Sequence, residues 1–189
     1  MQEIPNARAF TLMNITVPGC FIGRPEDLVA TYLHIKDGKI SDTGGLQIDM
    51  GRAMVLPCFA DMHTHLDKGH IWPRASNPDG TFLGALTAVG DDRAANWSAT
   101  DVATRMEFAL KCAYAHGTKA IRTHIDSIPP QDSISWPVFS QLRAKWAGKI
   151  DLQAASLVGC DSFENLAADY ASTADIVAEH GGVLGMVTY

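Results

Sequence analysis

Residues 53–67 read AMVLPCFADMHTHLD. The apolar run from Ala53 to Ala60 is short and passes into a polar string. Such a run suits a parallel strand buried on both faces. His63 and His65 follow directly, two residues apart. In extended backbone, residues i and i+2 share a side, so the two imidazoles serve one point. The carboxyl ends of strands are where β/α folds carry their sites, and imidazole is the commonest metal ligand. His63 and His65 are therefore candidate ligands of one metal ion. Asp61 lies on the same side. It either orients an imidazole by accepting its second N–H or accepts from main-chain amides. Asp67 is either a similar acceptor or a helix cap.

Downstream, strands and helices alternate. Ser98-x-x-Asp101 or Thr100 caps a helix running from about Asp101 to His116. Val102, Met106, Ala109, Leu110 and Ala113 form its apolar stripe, and Gly117 stands at the left-handed C-terminal position. Thr118 to Asp126 is the next strand, Trp136 to Ala147 a helix, and Ile150 to Val158 a third strand. Asp161-x-x-Glu164 caps a helix with a stripe from Phe163 to Val177, and Gly182 to Tyr189 is a fourth strand. Upstream, Ala9 to Val17 and Leu28 to Ile35 read as strands. Lys36-Asp37-Gly38-Lys39 supplies a hairpin turn. Residues 1–52 are thus expected to form a small β-rich lobe, and residues 53–189 a βαβαβαβ series.

Sequential parallel strands give either an open doubly wound sheet or a β/α barrel. A complete barrel takes ~250 residues, and four strands are half of one. The motifs favour the N-terminal half of a (β/α)8 barrel preceded by the β-rich lobe.

Arg122, His124 and Asp126 alternate onto one side of their strand, with Ile121, Thr123 and Ile125 on the other. Three polar groups facing a dry core are costly, so they suit the mouth of a barrel. His124 is a candidate substrate contact and Asp126 a supporting carboxylate. The competing reading is an internal Arg122–Asp126 salt bridge. Between Leu66 and Trp97 lies a long stretch rich in Gly, Pro, Asn and Asp. Loops of that length are usually functional. Trp72, Arg74 and Phe82 are available to cover a substrate, and Lys68, beside the motif, is the foremost candidate to bind one.

The chain has 189 residues, 47% hydrophobic and 19% charged, with a net charge of −6. An acidic balance disfavours a nucleic-acid partner. No stretch approaches the ~18 apolar residues of a membrane span, and the first residues lack the apolar core of a signal peptide. Cys20, Cys58, Cys112 and Cys160 form no CxxC pair. They read as reduced thiols of a cytoplasmic protein. The oligomeric state stays open, a homo-oligomer included.

VLPCFADMHTHLD resembles the first-strand signature of the amidohydrolase superfamily, hydrophobic-Pro-Gly-hydrophobic-x-Asp-x-His-x-His. The continuation DKGHIWPR, then GTKAIRTHID, then IDLQAAS, is similar to the cytosine deaminase group and its relatives that act on amino-substituted triazines. The resemblance implies a metal-dependent (β/α)8 barrel whose β-sandwich lobe comes from both chain ends. It matches His63 and His65 to two metal ligands. It implies a single divalent ion, zinc or iron, and a small N-heterocycle as substrate. The family's remaining metal ligands and its catalytic Glu and His are expected beyond Tyr189, so this chain alone is expected to be inactive.

The implied reaction is hydrolytic deamination of cytosine or a related pyrimidine or triazine, with the metal lowering the pKa of the attacking water. Two departures stand out. Cys58 replaces the signature Gly. Val158-Gly159-Cys160-Asp161 carries no Gln where cytosine deaminases read the base, which weighs against cytosine itself. The alternatives are a truncated non-catalytic homologue and a metal-dependent phosphoesterase; the latter class lacks a β-lobe in front.

Overall fold

A computed structural model describes residue 4, residues 7–160 and residues 167–188. The chain divides into two compact units, Met1–Pro57 and Cys58–Tyr189.

The first unit is a four-stranded sheet in the order β3-β2-β1-β4. Its strands are β1 (Ala9–Pro18), β2 (Leu28–Lys36), β3 (Lys39–Ile40) and β4 (Leu46–Asp49). β1 runs antiparallel to β2 and parallel to β4. Asp37 and Gly38 both take positive φ (50° and 74°), the geometry a two-residue hairpin turn requires. A bulge between Leu12 and Ile15 leaves Asn14 at φ 54°.

The second unit carries β5 (Phe59–Thr64), α1 (Phe82–Asn96), α2 (Ala99–Ala115), β6 (Thr118–Asp126), α3 (Asp132–Lys145), β7 (Asp151–Leu157) and α4 (Ala167–Glu179). Its strands are parallel and stand in the order β5-β6-β7.

The buried strand expected over Ala53 to Ala60 is displaced. It runs over Phe59–Thr64, and residues 59–63 are exposed. Pro57 has no N–H to give a ladder. Residues on its N-terminal side pair with β1 instead: Thr16 N donates to Ala53 O at 3.0 Å, and Val55 N to Thr16 O at 2.9 Å. The new ladder opens where Phe59 N donates to Gly117 O at 2.9 Å.

α2 begins as the sequence indicates, with Ser98 Oγ accepting from Asp101 N at 3.3 Å. Gly117 follows it at φ 85°. Val102, Met106 and Leu110 on α2, Ile125 on β6 and Trp136 on α3 are wholly buried and make the core between helices and sheet.

α1 is a helix within the long stretch read as loop. Thr81 caps it, its hydroxyl accepting from Gly84 N at 2.9 Å. α3 starts four residues earlier than expected, at Asp132, and takes Pro137 into its body. The cap expected at Asp161 and Glu164, with Phe163 and Leu166 of the stripe, lies outside the described residues.

The fourth strand is interrupted. Val183 bridges Ala155 and Val187 bridges Gly159, both parallel to β7. Between them Ser156 Oγ both accepts from Gly185 N and donates to Gly185 O, at 2.9 Å each. A Cβ on Gly185 would lie 2.8 Å from Ser156 O, so this close approach requires glycine. Among the described residues, no helix is long and apolar enough to cross a membrane.

Candidate active site

β5 and β6 pair with two irregularities, and the second falls between Asp61 and Thr64. Bulges next to sites re-aim side chains, and this one spans His63. His63 and His65 lie with ring centroids 5.3 Å apart. A third imidazole joins them from β6. His124 stacks on His63 at 4.2 Å with 29° between the rings, and its centroid is 5.8 Å from that of His65. His124 also orients His65 through its backbone, because His65 Nδ1 donates to His124 O at 3.1 Å. That bond fixes the tautomer and leaves Nε2 with its lone pair free. Burial, and then Lys68, holds the His65 imidazole below its usual pKa. Burial, and then His63, does the same for His124. Both effects favour the neutral ring, which is the ligating form. His124 Nδ1 is buried without a partner among the described residues.

Behind the imidazoles the loop turns sharply and is held by buried side chains. Leu66 N donates to Thr123 Oγ1 at 2.9 Å. Asp126 N donates to Asp67 Oδ2 at 2.8 Å. Asp67 is wholly buried, and its Oδ1 has no partner among the described residues. Burial foremost, with the nearby Asp126 charge, pushes the Asp67 carboxyl up to about 7.

Asp126 takes two cations, Lys68 Nζ at 2.5 Å and Arg93 Nη1 at 2.8 Å. The internal Arg122–Asp126 bridge does not form. Arg122 donates to Gln153 Oε1 from Nε and Nη2, at 3.1 and 2.7 Å. Asp61 Oδ1 accepts from the main-chain N–H of His63 at 3.1 Å.

His63, His65, Lys68, Asp67, His124 and Asp126 therefore share one end of the β5–β6 pair. Trp72 and Phe82 are exposed, and Arg74 is taken up by Asp92 and Asp101. Sequence reasoning missed Arg93, Thr123 and Arg105. Arg93 lay in the stretch read as loop. Arg105 carried a readable signal: it is a charge inside the apolar stripe that runs from Val102 to Met106 and Ala109.

No family model matches the chain. It is 51% identical over 197 residues to the pterin deaminase of Rhizobium rhizogenes, which covers 97% of this chain and 45% of that protein. Solved structures share the fold. The 5-methylcytosine deaminase of Klebsiella pneumoniae superposes with a TM-score of 0.64 at 17% identity, over 94% of this chain and 50% of that one. The N-isopropylammelide isopropylaminohydrolase of Burkholderia multivorans gives 0.64 at 19% identity, over 97% and 53%. The guanine deaminase of C. acetobutylicum gives 0.60 at 13% identity, over 95% and 45%. The chain thus spans about half the length of the relatives it matches. In sequence and in fold, it resembles about half of a deaminase of the amidohydrolase superfamily.

Proposed function

We propose that the protein carrying this segment is a metal-dependent hydrolase of C–N bonds that deaminates a small amino-substituted N-heterocycle. The observation that carries the reading is the cluster of His63, His65 and His124 at one end of a parallel strand pair. The 51% identity to a pterin deaminase makes a pterin, an aminopyrimidine fused to a second ring, the foremost substrate. Cytosine and the amino-triazines follow it.

The donor set fits a metal in part. His65 keeps Nε2 available, and the His63 ring stands edge-on to it. Among the described residues, no group of three or more His, Cys, Asp or Glu side chains could hold an ion. His63 and His65 would thus contribute two ligands to a site that needs at least one more. A bound zinc or iron supplies Lewis acidity for activating water.

The chain's own residues do the rest of the work proposed here. His124 orients both first-strand rings and lines the substrate space. Lys68, paired with Asp126, would offer a cation suited to a heterocycle's carbonyl edge. Asp61, Asp67 and Asp126 hold the surrounding backbone and charges in place. In this reading β5, β6, β7 and the 183–187 segment are successive strands of a (β/α)8 barrel in a cytoplasmic enzyme.

Ammonia release by the intact protein tests it, against pterins, pyrimidines, purines and triazines. Turnover of at least one of these heterocycles is expected. Phosphoester hydrolysis with no ammonia from any heterocycle would overturn the reading.

A further inference from the structure

The backbone leaving β5 after His65 has no strand or helix to satisfy it. Gly69 N donates to His65 O at 3.2 Å, which closes one turn. The carbonyls of Asp67 and Gly69 then accept from a single side chain. Arg105 Nη1 on α2 donates to both, to Gly69 O at 3.1 Å. Buried main-chain carbonyls need such donors.

Arg105 is 6% exposed. Its Nε donates to Asp101 Oδ2 at 2.8 Å, and its guanidinium lies 4.9 Å over the Trp97 ring. Asp101 in turn accepts from Arg74 Nη1 at 2.6 Å. Arg74 grips the buried Asp92 of α1 through Nε and Nη2, at 2.8 and 2.9 Å. Alternating charges therefore run from Asp92 through Arg74 and Asp101 to Arg105, and end on the backbone behind His65 and Lys68. Burying a guanidinium is costly, and apolar replacements of buried ion pairs are often neutral for stability. An apolar residue here would continue the α2 stripe. It would leave two carbonyls without their donor.

We propose that Arg105 is a positioning residue: by holding the Asp67 and Gly69 carbonyls it fixes the backbone that places His65 and Lys68 in the site. The proposal rests on the reading of His63 and His65 as a metal-binding pair. Lys cannot replace Arg fully, because a single ammonium lacks the planar fork that serves carbonyls and a carboxylate together.

The test uses the intact protein with Arg105→Met and Arg105→Lys. Arg143→Met on α3 serves as a control, since Arg143 stacks on Phe139 at 5.2 Å, away from the loop. Two quantities are read: amide hydrogen exchange of residues 65–70, and zinc affinity by chelator competition. Arg105→Met should speed exchange in that segment and weaken zinc by about 10–100-fold, the usual range for groups that support metal ligands. Arg105→Lys should recover part of both, and it carries the test if the Met variant fails to fold. Arg143→Met should bind zinc as the parent does.

Parent-like exchange at residues 65–70 in a folded Arg105 variant overturns the proposal. So does faster exchange with zinc affinity unchanged, or an equal loss of zinc in Arg143→Met. Faster exchange in a protein whose parent binds no zinc rejects the metal reading, and supports Arg105's hold on the loop.

Discussion

At the scale of single residues, the site turns on which imidazole nitrogen is free. His65 spends Nδ1 on the His124 carbonyl and keeps Nε2, while the His63 ring stacks on that of His124. Replacing His63 or His65 with Ala in the intact protein should remove most bound metal and most ammonia release, read by metal analysis and assay on the same sample. Full metal occupancy in the double variant would contradict the assignment. The supporting charges give a separate prediction. Burial raises the pKa of Asp92, but hydrogen bonds from Arg74, Trp97 and Asn96 outweigh it and hold the carboxyl at about 2. A depressed carboxyl stabilises the fold above its unfolded value, near 4, and loses that contribution as pH falls through about 2. The stability gap between the parent and Asp92→Asn should therefore be widest above pH ~4 and shrink by roughly 2 kcal/mol toward pH ~2. Urea unfolding across that range reads it, and a gap independent of pH would show that the Arg74 pairing does not select the charged form.

At the scale of elements, legibility followed the strength of local signals. α2 was readable because Ser98 caps it, its stripe is regular and Gly117 stops it. Ser98→Ala should cost about 1 kcal/mol of stability, measured by the same unfolding experiment. A cost near zero would mean that packing alone sets the start of α2. α1 was not readable, since Gly84 and Gly90 interrupt a segment with no apolar stripe. What orders α1 is tertiary: Asp92 is gripped by Arg74, and Arg93 reaches Asp126 on β6. β5 was read several residues early because apolar content cannot show that Pro57 breaks the ladder. α3 was read late because a proline usually marks the first turn of a helix, whereas Pro137 sits one turn inside it. The closeness of His63 and His65 was legible from their spacing and from their place after an apolar run. The bulge and the stacking of His124 were not, because they depend on the register of β5 against β6.

At the scale of the whole molecule, the parallel strand series and the separate β-sheet unit match deaminase folds across about half their length. The fold likeness leaves the chemistry to the site, because one fold hosts many reactions. The relative at 51% identity supplies the substrate class to try first. Incubation of the intact protein with pterin in heavy-oxygen water, followed by mass spectrometry of the product, tests the central claim most directly. The account predicts one heavy oxygen on the ring carbon for each ammonia released, and loss of both with His63→Ala. Unchanged pterin would contradict the pterin assignment, and ammonia released without heavy oxygen in the product would contradict hydrolytic deamination at this site.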